Sequence, residues 1–274
     1  MSEKIFFGRH TERITDPITG EVIKPESAEY KGVTPSGVEK GKEKVKDLIN
    51  IIDEAPAGAV VFLGGSSEEE RTRSTMEIFG ASAADHYKND SNILVISSVD
   101  KEGEKFLDFA RNIALENPDK KIIVTRPLFL KEFSLRPKFR ECGTGEHTQL
   151  SRNINEEGGN TDTEGMRAFM NRPGLAQEEA ERQIKGINRL RDLVREVAPN
   201  RYSIIGFTSH GWILDSLASY LANRGEAGKE GYEKTGGKMF EEAETGKITI
   251  SGDGIIFSFR GVDYEVPHNI LENK

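Results

Sequence analysis

The chain has 274 residues, enough for one sizeable domain with a buried core. Hydrophobic residues make up 35% and charged residues 31%, a globular composition with a polar surface. The formal net charge of -8 argues against a nucleic-acid partner, and no apolar run approaches the ~20 residues of a membrane span.

Residues 4–8 (Lys-Ile-Phe-Phe-Gly) predict a short buried strand ending at Arg9-His10. Residues 11–33 are polar, contain Pro17, Gly20 and Pro25, and predict a loop. Thr34-Pro35-Ser36-Gly37 opens a helix, because Thr34 can cap the free N–H groups and Pro35 fits the first turn. Val38, Val45, Leu48, Ile49 and Ile52 keep helical spacing along it. Residues 58–64 predict a second buried strand, followed by Ser66-Ser67 and a charged helix from about Glu68 to Phe79. A third strand is expected at 92–98, a helix near 102–116 and a strand at 121–125. Residues 136–165 are rich in Gly, Asn, Thr and Glu and read as a long loop or lid. A long helix follows at 174–198, then a buried strand at 202–208 ending in Ser209-His210-Gly211, then a helix at 212–224. Alternation at 247–259 predicts a hairpin turning near Gly252-Asp253-Gly254. Short apolar strands alternating with helices imply an α/β sandwich with a largely parallel sheet, in a single domain over 1–274.

Three of the expected strands lead to residues that carry chemistry. The first ends in Arg9-His10, the second leads through Ser66-Ser67 to Arg71 and Arg73, and another ends in Ser209-His210. Ligands in open α/β sheets sit beyond the carboxyl ends of the strands. Two histidines and at least one further arginine would converge there, a set suited to a phosphate monoester. Arginine offers permanently charged, planar donors that match phosphate oxygens. A neutral imidazole can attack phosphorus in line, and neighbouring arginines disfavour its protonated form. The leaving alkoxide then needs a proton from a nearby carboxylic acid.

These motifs together resemble the histidine phosphatase superfamily, the group that includes cofactor-dependent phosphoglycerate mutases. Arg9-His10 matches that family's Arg-His signature, with Thr11-Glu12 where Gly-Glu is usual. Val33-Thr34-Pro35-Ser36-Gly37 is similar to its Leu-Thr-Pro-x-Gly helix start, and Ser66-Ser67-x-x-x-Arg71-x-x-x-Thr75 to its Ser-Ser-x-x-x-Arg-Ala-x-x-Thr segment. Phe207-Thr208-Ser209-His210-Gly211 matches its second histidine strand. The resemblance implies a three-layer α/β/α sandwich and a nucleophilic His10. It also implies phosphoryl binding by Arg9, Arg71 and His210, with no metal and no cofactor. Asp16 stands where many relatives have Asn, and Trp212 where Gly is frequent. Leu130-Lys131-Glu132 fits the family's acid-bearing Leu-x-Glu pattern, later in the chain than usual. Glu132 is therefore the expected acid and Glu104 the alternative. The stretch 92–125 reads as an insertion, within a wider insertion or lid at 92–175.

The activity so implied is hydrolysis of a small phosphomonoester through a phosphohistidine. The alternatives are a mutase-like phosphotransferase and a non-catalytic phosphate-binding regulatory module. The expected partner is a small phosphorylated metabolite, with no nucleic acid and no membrane. The amino-terminal stretch lacks a signal peptide's long apolar core, so a cytoplasmic location is the default. One cysteine, Cys142, excludes an internal disulfide, and its neighbour His147 reads as chance in a polar loop. Gly64-Gly65-Ser66 lacks the lysine of a phosphate-binding P-loop. The charged run Glu178–Arg182 reads as a solvated helix face, and His86 and His268 have no supporting context.

Overall fold

The strands are β1 (Glu3–Arg9), β2 (Val60–Ser66), β3 (Ile93–Ile96), β4 (Lys121–Val124), β5 (Leu128–Phe129), β6 (Ser203–Ser209), β7 (Thr245–Ser251), β8 (Gly254–Phe259) and β9 (Val262–Val266). The helices are α1 (Pro35–Asp53), α2 (Glu70–Tyr87), α3 (Glu104–Glu116), α4 (Asp162–Met170), α5 (Leu175–Val197), α6 (Gly211–Ala222) and α7 (Lys229–Lys234). They come from a computed structural model that describes residues 2–15, 21–97, 104–134, 162–172 and 174–271. Asp16, Cys142 and His147 lie outside the described residues, as does the side chain of Glu104.

The nine strands form one sheet in the order β3-β4-β2-β6-β1-β7-β8-β9, with β5 paired to the end of β2. All pairings among β1 to β6 are parallel, and β7, β8 and β9 extend one edge antiparallel. Alternate residues of the central strands enter different cores. Ile5, Phe7, Val60, Phe62, Ile205 and Phe207 pack with α3, α5 and α6. Phe6, Val61, Leu63 and Ile204 pack with α1 and α2. A two-residue strand period sorted onto two helical layers makes a three-layer α/β/α sandwich, as the resemblance implied. The central strands bury both faces, which is why they read as unbroken apolar runs.

Local chemistry sets the ends of the elements. Thr34 caps α1, its hydroxyl accepting the Gly37 N–H at 3.0 Å, with Pro35 in the first turn. Helix α2 runs on to Tyr87, past the expected end at Phe79, because Ala83 and Tyr87 continue its buried face. The stretch 92–125 supplies β3 and β4, an edge of the same sheet. Of the expected loop at 136–165, residues 162–165 instead open α4, whose Met166, Phe169 and Met170 are buried. A two-residue turn joins β7 to β8 as expected, and β9 adds a further strand that the exposed pattern of Val262–Val266 concealed.

One irregularity bears on the site. The pairing of β2 with β6 runs Leu63 to Gly206 and then Gly65 to Phe207, so Gly64 is an extra residue, a β-bulge. A Cβ on Gly65 would lie 2.5 Å from the Cβ of Phe207 and 2.7 Å from Leu190, so only glycine fits there. Among the described residues no helix is long and apolar enough to cross a membrane.

Candidate active site

The parallel register sets Arg9 opposite Ser209, so the next residue of each strand is a histidine. His10 and His210 are each 3% exposed, and their rings stand 5.4 Å apart, edge to face. The His10 backbone N–H donates to the Ser209 carbonyl at 3.1 Å, which fixes the turn out of β1. The next N–H, of Thr11, donates to the Thr75 hydroxyl at 3.0 Å, and that hydroxyl donates to the Arg71 carbonyl at 2.7 Å. The first strand is thereby tied to the helix that carries Arg71.

The two imidazoles are held differently. His10 Nδ1–H donates to the Thr11 carbonyl at 2.7 Å, which leaves the lone pair on Nε2. Arg71 Nη2 approaches His210 Nδ1 at 3.4 Å, so the His210 proton belongs on Nε2, 2.9 Å from the Ser67 hydroxyl. Burial, then Arg71 and Arg9, hold both histidines well below the ordinary value of 6.5. Both rings are therefore neutral near neutral pH.

Arg9 stands at the end of β1, beside His10. Its Nη1 donates to the Phe240 carbonyl, and its backbone N–H to the Glu244 carbonyl at 3.0 Å. Asp215 on α6 accepts the Phe240 N–H at 3.0 Å, which fixes that carbonyl's segment. Burial pushes the Asp215 carboxyl up, while Arg9 and the Phe240 N–H pull it the other way. The four residues Arg9, His10, Arg71 and His210 are thus brought to one place, at the carboxyl ends of β1 and β6 and the start of α2.

Glu132 is placed in the 3₁₀ turn Lys131–Phe133, on the α5 side of these strand ends. Its Oε1 lies 3.5 Å from Arg189 Nη1, and its Oε2 is buried without a hydrogen-bond partner. The turn is anchored by Phe133, which stacks on Phe207 at 4.3 Å and accepts the Ser209 hydroxyl at 2.6 Å. The run Glu178–Arg182 departs from a solvated face: Glu179 is buried and pairs with Arg182, whose guanidinium also donates to the Lys131 and Ser134 carbonyls. Trp212 packs against Phe169 of α4 at 5.3 Å.

Glu69, just before α2, was concealed within the charged run Glu68–Arg73. Its Oε2 lies 2.6 Å from Arg71 Nη2 and its Oε1 3.7 Å from His210 Nε2. The available signal was position: Glu69 lies two residues before Arg71, where the chain turns from the end of β2 into a helix. Glu12, after Thr11, has a different use. Its carboxylate accepts Lys24 at 2.5 Å, Ser36 and the Thr34 hydroxyl at 2.6 Å, contacts that lower it to about 2.

No family model and no curated protein matches the chain. Among solved structures, it is similar to a mycobacterial hydrolase, with 11% identity, a TM-score of 0.47, and coverage of 97% of this chain and 100% of that one. It is also similar to the phytase from D. castellii, with 11% identity, a TM-score of 0.43, and coverage of 96% of this chain and 73% of that one.

Proposed function

We propose that this protein is a metal-independent phosphomonoesterase of histidine phosphatase type, in which His10 takes the phosphoryl group of a small phosphorylated metabolite. The observation that carries the reading is the pairing of two buried neutral imidazoles with Arg71 against one of them and Arg9 beside the other. His10 Nε2 holds the attacking lone pair because Nδ1–H is spent on the Thr11 carbonyl. Arg9, Arg71 and His210, once its Nε2–H turns from the Ser67 hydroxyl, are donors for the phosphoryl oxygens. Fixed donors of this kind stabilise charge on the equatorial oxygens, where most catalysis of phosphoryl transfer lies. Water then attacks the phosphohistidine and releases inorganic phosphate.

The test is phosphate release from a panel of phosphorylated metabolites by wild type and His10→Ala, with EDTA present. Turnover by wild type alone, and acid-labile phosphate trapped on the protein, are expected. Activity that survives His10→Ala, or that EDTA abolishes, overturns the mechanism. Isomerisation of a phosphoglycerate without phosphate release would make the protein a mutase. Phosphate binding without turnover would make it a regulatory module.

A further inference from the structure

The leaving oxygen needs a proton, and two carboxyls stand near the carboxyl ends of the strands. Glu132 directs Oε1 to Arg189 of α5, and its Cβ lies against Gly186 of the same helix. Glu69 instead bridges Arg71 and His210, two of the groups that surround His10. Its side chain is 30% exposed, whereas that of His210 is 4% exposed. A phosphoryl group seated on the buried rings directs its ester oxygen outward, toward the more exposed carboxyl.

We propose that Glu69 is the catalytic proton donor of this site, a role that rests on the phosphohistidine reading above. A phosphoryl dianion that engages Arg71 removes the carboxylate's counter-charge and places a like charge beside it. Both effects favour the protonated carboxyl. Substrate binding therefore loads the acid. His10 Nε2 forms the N–P bond as the P–O bond to the leaving group breaks, and the Glu69 proton passes to the departing oxygen, giving the alcohol. The resulting carboxylate then takes a proton from water as the water oxygen attacks phosphorus. The N–P bond breaks, inorganic phosphate leaves, and neutral His10 and protonated Glu69 are restored.

The experiment compares p-nitrophenyl phosphate, whose leaving group needs little protonation, with glycerol phosphate, whose alkoxide needs a full proton. Wild type, Glu69→Gln, Glu132→Gln and His10→Ala are assayed on both esters and on phenyl phosphates of graded leaving-group acidity. We expect Glu69→Gln to keep p-nitrophenyl phosphate turnover within about 5-fold and to lose roughly 10²–10³-fold on glycerol phosphate, the scale of general acid catalysis. Its rates should also depend more steeply on leaving-group acidity than those of wild type, which a merely structural role would not produce. Glu132→Gln should change the two esters alike. An equal loss on both esters by Glu69→Gln, or a selective loss by Glu132→Gln, overturns the assignment. Wild-type turnover of the aryl ester alone also overturns it, because no acid is then working, yet leaves the phosphohistidine intact. Wild-type rates in His10→Ala overturn both.

Discussion

The parallel half of the sheet and its antiparallel extension bury their residues in opposite ways. At the ends of β1, β2 and β6 and in the adjoining turn of α2 the chain buries polar side chains completely: Thr11, Ser66, Ser67, Thr75, Thr208 and Ser209 are all 0% exposed. Along β7 and β8 burial alternates, and the buried positions are apolar, with Phe257 and Phe259 stacked at 5.8 Å. The polar cluster contributes orientation. Ser67 meets the His210 ring, Thr75 accepts the Thr11 N–H, and Thr208 and Ser209 donate to the Thr72 and Phe133 carbonyls, at a desolvation cost that a merely stable fold would avoid. The extension contributes support from behind. Its Glu244 carbonyl and the Ala243 N–H hold the backbone of Arg9 and His10. Chemistry and support are therefore carried by different strands that meet at a single residue pair, Arg9-His10.

That division predicts which substitutions affect rate and which affect stability. The largest effect is on rate: His10→Ala should lower phosphate release by roughly 10⁴-fold or more, as removal of a nucleophile does, with little change in the urea midpoint. A comparable rate in the variant would place the chemistry elsewhere.

The next effect is on stability through the two neutral histidines. Unfolded histidines titrate near 6.5, and these are held well below it. Their stabilisation is complete above pH 6.5 and is lost as pH falls, because the unfolded chain then takes protons that the folded chain refuses. Each should contribute a slope of roughly 1.4 kcal/mol per pH unit below 6.5. Asp215 is shifted upward and acts in the opposite sense, so Asp215→Asn should steepen the acid loss. Denaturation midpoints measured between pH 7 and 5 would check both signs.

Arg260→Ala tests the support. The guanidinium donates to both Glu244 oxygens at 2.7 Å and to the Thr235, Lys238 and Met239 carbonyls at 3.0 Å. Its loss should lower stability by about 2–3 kcal/mol through broken charge-assisted hydrogen bonds. Activity at a temperature where the variant stays folded should fall much less than in His10→Ala. If the rate falls as far, Arg260 belongs to the chemistry and the division fails. The smallest effect falls on α1: Thr34→Ala should cost about 1 kcal/mol as a lost N-cap, with the rate unchanged.

Much of this was legible in the sequence, and the reasons differ by region. The central strands could be read because both faces are buried, leaving unbroken apolar runs such as Ile-Phe-Phe and Val-Val-Phe-Leu. The convergence of Arg9, His10, Arg71 and His210 could be read because each follows a strand, and parallel strands deliver their ends to one side. Strand β5 could not, being two residues long and paired only with the end of β2. Helix α4 was hidden by the polar stretch before it. Glu69 was hidden among like charges, since a run of glutamates reads as solvent-facing until one member is seen to face Arg71. The burial of Glu179 was hidden for the same reason.

The bulge at Gly64 makes the pocket a matter of phase. Were Gly64 paired in regular register instead of bulged, Ser66 would stand opposite Ser209, and every later residue would advance one step along β6. As built, Ser66 stands opposite Thr208, and Ser67 arrives in time to meet the His210 ring at 2.9 Å. Deleting Gly64 alone would close the bulge and leave Ser66 opposite Thr208, but loss of a second residue from this strand would shift the serines and the start of α2 against both histidines. A deletion of the same size in the turn at Gly252-Asp253 would leave the pocket in step. Gly64 thus gives β2 one residue of slack ahead of the site.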